Sequence, residues 1–348
     1  MIQNEVSTIA RHADDSGGVR TVDVDTPESS SNGVRLTSST RQLLRCPVCA
    51  SELMLVDDHF DCTNESCVGR FPIVDRMPVL IDEAKSLFSF SDFLAHKETT
   101  LPRRPLITRL AVRLLPDISV NLRAERNYEE FRRLLLQRTP HPKVLVVGGS
   151  IVGKGMGAIL SETAIEFVET DVSFGPRTAL ICDAHDLPFA DGSFDGVIIQ
   201  AVIPCLQDPF SCVDEIHRVL AADGLVYAET PFVQQGLQGG CDYTRFGPIG
   251  FRRLFRRFDE VASGAVAGPA TVLTWSLQFF LLGFVAGRAS QTVVKGLSRV
   301  LFVWVKYFDY YLLDKPGARK GASALYFLGT KSNVLSDREL VASYWGIE

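Results

Sequence analysis

Four cysteines crowd one 22-residue window of this chain, as Cys46-Pro-Val-Cys49, a gap of twelve residues, and then Cys62-Thr-Asn-Glu-Ser-Cys67. Two close pairs of thiols on separate turns can set four thiolates at the corners of a tetrahedron, the arrangement that structural Zn²⁺ prefers. Such a site has no open coordination position, so the metal would be structural, holding together a segment too short to sustain a core alone. The bland reading is four reduced core cysteines. Thiols of that kind rarely gather in pairs within a polar stretch, which favours the metal.

A second pattern could hold a nucleotide-like ligand. VLVVGGSIVGKGMGAI (144–159) starts as a strand and runs into a helix, with Gly148, Gly149 and Gly153 at the turn. Glycines there let the backbone approach a ligand, and a helix N-terminus favours polar or negative groups. On its own the turn is weak evidence, because simple turn geometry also asks for glycine. Asp171 ends the next strand-like run, 23 residues after Gly148. A carboxylate at that place can accept both hydroxyls of an adenosine ribose; a solvated strand end is its plain alternative. Asp183 and Ala184 follow in ICDAHDLPFADGSFDGVIIQ, and Gln200 and Ala201 close that run. A third segment, CDYTRFGPIGFRRLFRRF (241–258), offers Asp242, Tyr243 and Arg245 as an acceptor, a phenol and a fork-shaped donor. These three either serve a second substrate or anchor the next helix. His217 inside a helix reads as structural, and RRLFRR as a solvated face.

The elements that must position these residues follow from periodicity. Residues 1–40 are rich in Ser, Thr, Asp and Gly and read as a disordered tail, lacking the apolar surface to offset ordering entropy. Residues 41–83 are the cysteine-rich unit. Residues 84–142 are helical in pattern, as in LITRLAVRLL and YEEFRRLLLQR. From Lys143 the texture changes: KVLVV, AIEFVE, TALIC, DGVIIQ and GLVYAE are strand-like, and helical or turn segments separate them. That alternation predicts an α/β domain over 143–331, a mostly parallel sheet with helices on both faces. An apolar insertion, 264–322, precedes a last strand, ALYFLGTK (324–331), and 332–348 form a tail. Within the insertion ATVLTWSLQFFLLGFVAG is short for a bilayer span and carries Thr, Ser and Gln. A lid over the site is the leading reading; a peripheral membrane contact through 270–313 or an oligomer interface is the other. Such a lid points to a partly apolar acceptor.

Composition bounds the partners. The net charge is −5, with a local excess of eleven Lys/Arg over five Asp/Glu between Lys97 and Lys143. The acidic total and the lack of a base-stacking motif argue against nucleic acid. No apolar leader opens the sequence, and eight cysteines in a chain of this size suit a reducing, cytoplasmic setting. Oligomeric state is not legible.

Two resemblances build on these residues. LLRCPVCASELMLVDDHFDCTNESCVGRFPIVDRMPVLI resembles the zinc-ribbon family of the small activator subunit of tRNA and translation-factor methyltransferases, whose members end in a similar Tyr/Phe-Pro-Ile and Pro-Val-Leu pattern. The run from Lys143 to Thr230, including DLPFADGSFD and DEIHRVLAADGLVYAETPF, is similar to class I S-adenosylmethionine-dependent methyltransferases of the ubiquinone-biosynthesis type. That resemblance implies a Rossmann-like fold and S-adenosylmethionine as cofactor. It places Gly148, Gly149 and Gly153 against the cofactor, Asp171 on its ribose, Asp183 with Ala184 around adenine, and Gln200 with Ala201 at the methyl end. CDYTRFGPIG resembles the Asp-Tyr-x-Arg-Phe-x-Pro-x-Gly segment of many small-molecule and glycan-pathway methyltransferases. The family's acidic residue two places before the first glycine is Val146 here, its next glycine is Ser150, and Asp223 precedes the retained Gly224. Methyl transfer to a small molecule, lipid or glycan intermediate is thus expected. An RNA methyltransferase and a weakly catalytic scaffold are the alternatives.

Overall fold

The computed structural model describes residues 34–97, 115–235 and 241–345. LITRLAVRL (106–114) and most of the expected N-terminal tail therefore lie outside the described residues. The last part of that tail is ordered. Val34 and Leu36 are buried, and a helix follows at Ser38–Leu43. Thr37 and Thr40 each donate to Glu166 Oε1 at 2.7 Å, which fastens this segment to the sheet.

Among the described residues eleven strands form one sheet. The cysteine-rich unit supplies β1 (Leu53–Val56), β2 (His59–Cys62), β3 (Arg70–Val74) and β4 (Met77–Leu80). Then come β5 (Lys143–Val147), β6 (Glu166–Asp171), β7 (Leu180–Cys182), β8 (Phe194–Gln200) and β9 (Leu220–Pro231). The last two are β10 (Phe258–Ala267) and β11 (Ala324–Lys331). The spatial order is β1-β2-β3-β4-β7-β6-β5-β8-β9-β11-β10. Strands β4, β7, β6, β5, β8 and β9 run parallel, and β11 is antiparallel to both neighbours. The mostly parallel sheet expected from the alternation is present.

Three features depart from the sequence reading. The cysteine-rich unit, read as 41–83 apart from the α/β domain of 143–331, joins its sheet: β4 pairs in parallel with β7, Val79 opposite Ile181 and Leu80 opposite Cys182. All four residues of β4 are buried, as a strand covered on both faces must be. Secondly, residues 264–267 belong to β10, so the helical part of the insertion starts at Pro269. Strand β10 carries two register shifts against β11 and is rich in Ala, Ser and Gly. Such residues have little strand preference of their own, and the pairing imposes the extended form. Thirdly, the helix after the glycine turn is a single turn, Gly157–Leu160.

The core lies on both sheet faces. On one, Tyr128, Phe131 and Leu135 of the helix Ala124–Arg138 pack on Val144, Val146, Ile198 and Tyr227. On the other, the helix Pro209–Val219 buries Cys212, Val213, Ile216 and Val219.

The helices Pro269–Leu282 and Arg288–Phe302 make up the insertion with a shorter turn, Asp309–Leu312. Asp309 is fully buried and joins the pieces. Its carboxylate accepts the N–H groups of Gly268 (3.0 Å), Ala270 (2.9 Å) and Thr271 (2.9 Å), and the Thr271 hydroxyl (2.7 Å). It thereby satisfies the N–H groups that a helix start leaves without internal partners and places an anion at the positive end of the dipole. Replacing it leaves several buried donors unmatched, each costing on the order of 1–3 kcal/mol. Asp309→Ala is expected to lower unfolding free energy by about 3 kcal/mol in chemical denaturation. A loss under roughly 1 kcal/mol would remove Asp309 from this role.

Candidate functional site

The parallel strands end at one rim, where the order reverses around β5: β6 lies to one side and β8 to the other. Open α/β sheets bind ligands at such a switch point, beyond the C-terminal ends of the strands. A cavity of about 1040 Å³ opens there. Gly148, Gly153, Asp171, Asp183, Ala184, Gln200 and Ala201 all line it, as does Tyr243. Gly149, Asp242 and Arg245 are not in its lining.

The turn after β5 is shaped by close approach. Gly148 has φ +81°, and a Cβ there would run into Val202. A Cβ on Gly149 would lie 2.8 Å from the Glu169 side chain, so this glycine serves packing against β6. A Cβ on Gly153 would run into Gln200. Ala201 turns the chain out of β8 at φ +59°, a conformation rare for a residue with a Cβ and typical of constrained functional turns.

Asp171, at the end of β6, accepts the Ser150 N–H on one oxygen and the Ser173 N–H on the other, both at 2.9 Å. Its lone pairs outnumber these two donors, so it can accept more. Burial pushes its pKa up despite the N–H groups that favour the anion. Asp183 is held differently. Burial raises its pKa, but hydrogen bonds from His185 (2.6 Å) and the Ser86 hydroxyl (2.6 Å) outweigh this and leave it below the usual range. The same bond to Asp183 raises His185.

Ser86 belongs to the segment after β4, and Ile81, Asp82, Lys85, Leu87 and Phe88 line the cavity with it. This wall was not foreseen. It follows from the β4–β7 pairing, which delivers the chain leaving the cysteine-rich unit to the rim of the sheet.

A second unforeseen residue is Glu229, on β9 and 5% exposed. Its carboxylate accepts from Gln200 Nε2 at 2.6 Å, from Asn121 Nδ2 at 2.8 Å and from the Tyr227 hydroxyl. Gln200 in turn accepts the Tyr128 hydroxyl at 3.0 Å and donates to the Lys154 carbonyl at 3.2 Å, latching the glycine turn to the strand ends. Burial raises the pKa of Glu229 against the pull of these three donors. Register sets Val146, Ile198 and Tyr227 opposite one another. Glu229, two residues beyond Tyr227, brings a carboxylate to the same face. A glutamate inside the apolar run LVYAETP was the available signal.

Opposite the glycine turn, Thr271 and Trp275 of the helix Pro269–Leu282 line the cavity with Val266 and Tyr243. Asp242 and Arg245 pair with each other in fork fashion (2.8 and 2.5 Å), and the Tyr243 N–H bonds the Pro204 carbonyl at 2.8 Å. The pair braces the loop that presents Tyr243. Cys205 and Cys241, also in the lining, bring their sulfurs to 2.9 Å.

Away from the cavity, the sulfurs of Cys46, Cys49, Cys62 and Cys67 all lie within 4.8 Å of one another. The Cys46–Cys67 distance is 3.9 Å and the Cys49–Cys62 distance 3.4 Å. A tetrahedron with Zn–S bonds of about 2.3 Å has edges of about 3.8 Å, so the cluster fits such an ion.

Comparison with known proteins agrees with this layout. Residues 151–228 match a family model described as a methyltransferase domain. No curated protein matches the chain. Among solved structures it is similar to a Galdieria sulphuraria protein described as a sarcosine dimethylglycine methyltransferase (14% identity, 68% of this chain and 94% of that one, TM-score 0.42). It is also similar to a chain of the complex between the Haloferax volcanii Trm112 methyltransferase activator and a methyltransferase (18%, 60% and 92%, TM-score 0.39). A third is geranyl diphosphate C-methyltransferase from Streptomyces coelicolor (14%, 59% and 75%, TM-score 0.38). Residues 151–228 thus match a methyltransferase domain, and they lie on a mostly parallel sheet with a cavity at its switch point.

Proposed function

We propose that this chain transfers a methyl group from S-adenosylmethionine to a small amphiphilic acceptor, a lipid or glycan-pathway intermediate with an apolar part, by direct displacement. The observation that carries the reading is the setting of Asp171 and Glu229. Both face one cavity, burial raises both, and their hydrogen-bond partners among the described residues are neutral. Enclosed anions without a cation are costly, and a positively charged ligand offsets that cost.

When bound, the cofactor supplies a methyl group already activated by the positive charge on its sulfur. The chain's own work is then alignment and exclusion of water. Asp171, fixed by two N–H groups, would accept the ribose hydroxyls. Gly148 and Gly153 leave room for close approach, and Asp183, held by Ser86 and His185, would face the adenine. Glu229 and Gln200 would set a negative, rigid surface at the methionine end. The cavity exceeds the roughly 300–1,000 Å³ typical of a pocket for one small ligand, which leaves space for an acceptor beside the cofactor. Tyr243, Trp275 and Val266 make that remaining wall largely apolar.

An RNA acceptor is disfavoured by charge. Seven carboxylates line the cavity, Asp82, Asp117 and Asp208 among them, against two lysines, Lys85 and Lys154. A polyanion would meet repulsion there. The four sulfurs in the ribbon are assigned a structural zinc ion, held by Cys46, Cys49, Cys62 and Cys67, with no part in the reaction.

Isothermal titration with S-adenosylmethionine is expected to show binding that Glu229→Gln weakens about tenfold, the value of one charge-assisted interaction. Wild-type protein that binds no cofactor would favour the scaffold reading, and an unchanged affinity in the variant would remove Glu229 from the site. With radiolabelled cofactor and cell extract, label is expected in an organic-soluble product. Label confined to RNA would overturn the acceptor assignment.

A further inference from the structure

The helical insertion is built inside out. Its polar residues are buried: Thr271, Thr274 and Gln278 of the first helix, Ser298 and Arg299 of the second, then Lys306 and Asp309. Many of its large apolar residues face solvent. Phe280 is 64% exposed, Phe284 75%, Leu297 58%, Leu301 57%, Trp304 57% and Tyr311 66%. Leu297 and Leu301 near the end of the second helix, Trp304 and Phe308 in the turns that follow, and Tyr311 beyond them are all more than half exposed, so the apolar surface runs on through this part of the insertion. A water-soluble monomer places such a stripe on its core; a stripe of this extent turned outward marks an interaction surface.

We infer that this face docks on the surface of an anionic phospholipid bilayer, with the apolar stripe sunk at the headgroup boundary and the helices lying in its plane. Length excludes a span. The two helices hold 14 and 15 residues, about 22 Å at 1.5 Å per residue, against a hydrocarbon core of about 30 Å. Among the described residues no helix is long and apolar enough to cross a membrane.

Charge selects the partner. Between Arg288 and Lys320 stand seven basic residues and two acidic ones, in a chain whose net charge is −5. Arg299, Lys306 and Asp309 are buried and Lys295 and Arg319 half-buried, which leaves Arg288, Lys315 and Lys320 exposed against Asp314. Asp314 is itself paired with Arg123 at 2.5 Å. Lys315 lies 4.2 Å above the Tyr311 ring, so the basic and aromatic groups share one edge. Aromatic side chains with basic neighbours suit the headgroup region, where rings meet acyl chains and ammonium groups meet phosphates. A second copy of this chain would set two basic rims face to face, an unfavourable arrangement.

The position has a consequence for the site. Thr271 and Trp275, on the helix that carries Phe280 outward, line the catalytic cavity on its inner side. One helix therefore separates the cavity from the docking face. This assignment does not rest on methyl transfer, and its test needs no cofactor.

The test is flotation of the whole chain with vesicles of phosphatidylcholine, with and without phosphatidylglycerol. The protein is expected to float with the anionic vesicles about tenfold more than with the neutral ones, and less as salt rises. Phe284→Ser with Leu301→Ser and Trp304→Ser changes exposed positions outside the cavity. It is expected to lower vesicle binding about tenfold or more while cofactor affinity stays unchanged. Should that variant fold poorly, Lys315→Glu with Lys320→Glu keeps the apolar stripe and is expected to abolish only the preference for anionic vesicles. No flotation with either vesicle, or wild-type binding by both variants, overturns the proposal. So does a wild-type dimer that the triple variant dissociates, which would assign the face to a second copy.

Discussion

The parallel ladder between β4 and β7 is the contact on which the rest of the site depends. Two residue pairs, Val79 with Ile181 and Leu80 with Cys182, convert the end of a cysteine-rich unit into the edge of the central sheet. Strand β7 would otherwise be an open edge with unmatched N–H and C=O groups. The ladder has company: Arg45 and Ala190 exchange backbone bonds with Pro188 and Leu43 across the same seam. From it the chain passes directly into the cavity wall, and Ser86 reaches Asp183. A unit that looks peripheral in sequence is thus one side of the cavity.

The electrostatics of that chamber follow from the same economy. Asp171 and Glu229 sit on opposite sides of β5, one at the end of β6 and one on β9. Each is held by neutral donors and each is raised by burial. Val146 and Tyr227 are in register through Ile198, and Glu229 brings a carboxylate to that face from β9. Opposite them the insertion presents Trp275 and Thr271 inward and its aromatic stripe outward. Asp309 fixes the relation between the two by capping the first helix from the far side of the insertion.

Much of this was legible. KVLVV and ALYFLGTK give strands with the expected bounds, because each is built on a run of four or five apolar residues. The strand ends carried Asp171, Asp183 and Gln200 to the cavity because ligand sites of α/β sheets lie there. Strand β10 was not legible, since FDEVASGAVA holds small residues that become extended only through pairing with β11. The place of the ribbon was half legible. MPVLI is a continuous apolar run, the mark of a strand buried on both faces, but a local pattern cannot name the partner strand 100 residues away. Glu229 was visible as a carboxylate in an apolar strand; its meaning needed the register that sets it beside Gln200. Asp242 and Arg245 could not be separated from Tyr243 by spacing, because their mutual ion pair is a tertiary fact.

The most direct test of this account is the cofactor affinity of the chain before and after removal of the zinc proposed for the four cysteines. Limited proteolysis would report whether the ribbon has melted. Loss of the metal should free β4 from β7, open the wall carrying Ser86 and weaken S-adenosylmethionine binding about tenfold or more, with recovery on returning zinc. Full affinity in a protein whose ribbon is stripped and digested would contradict the account.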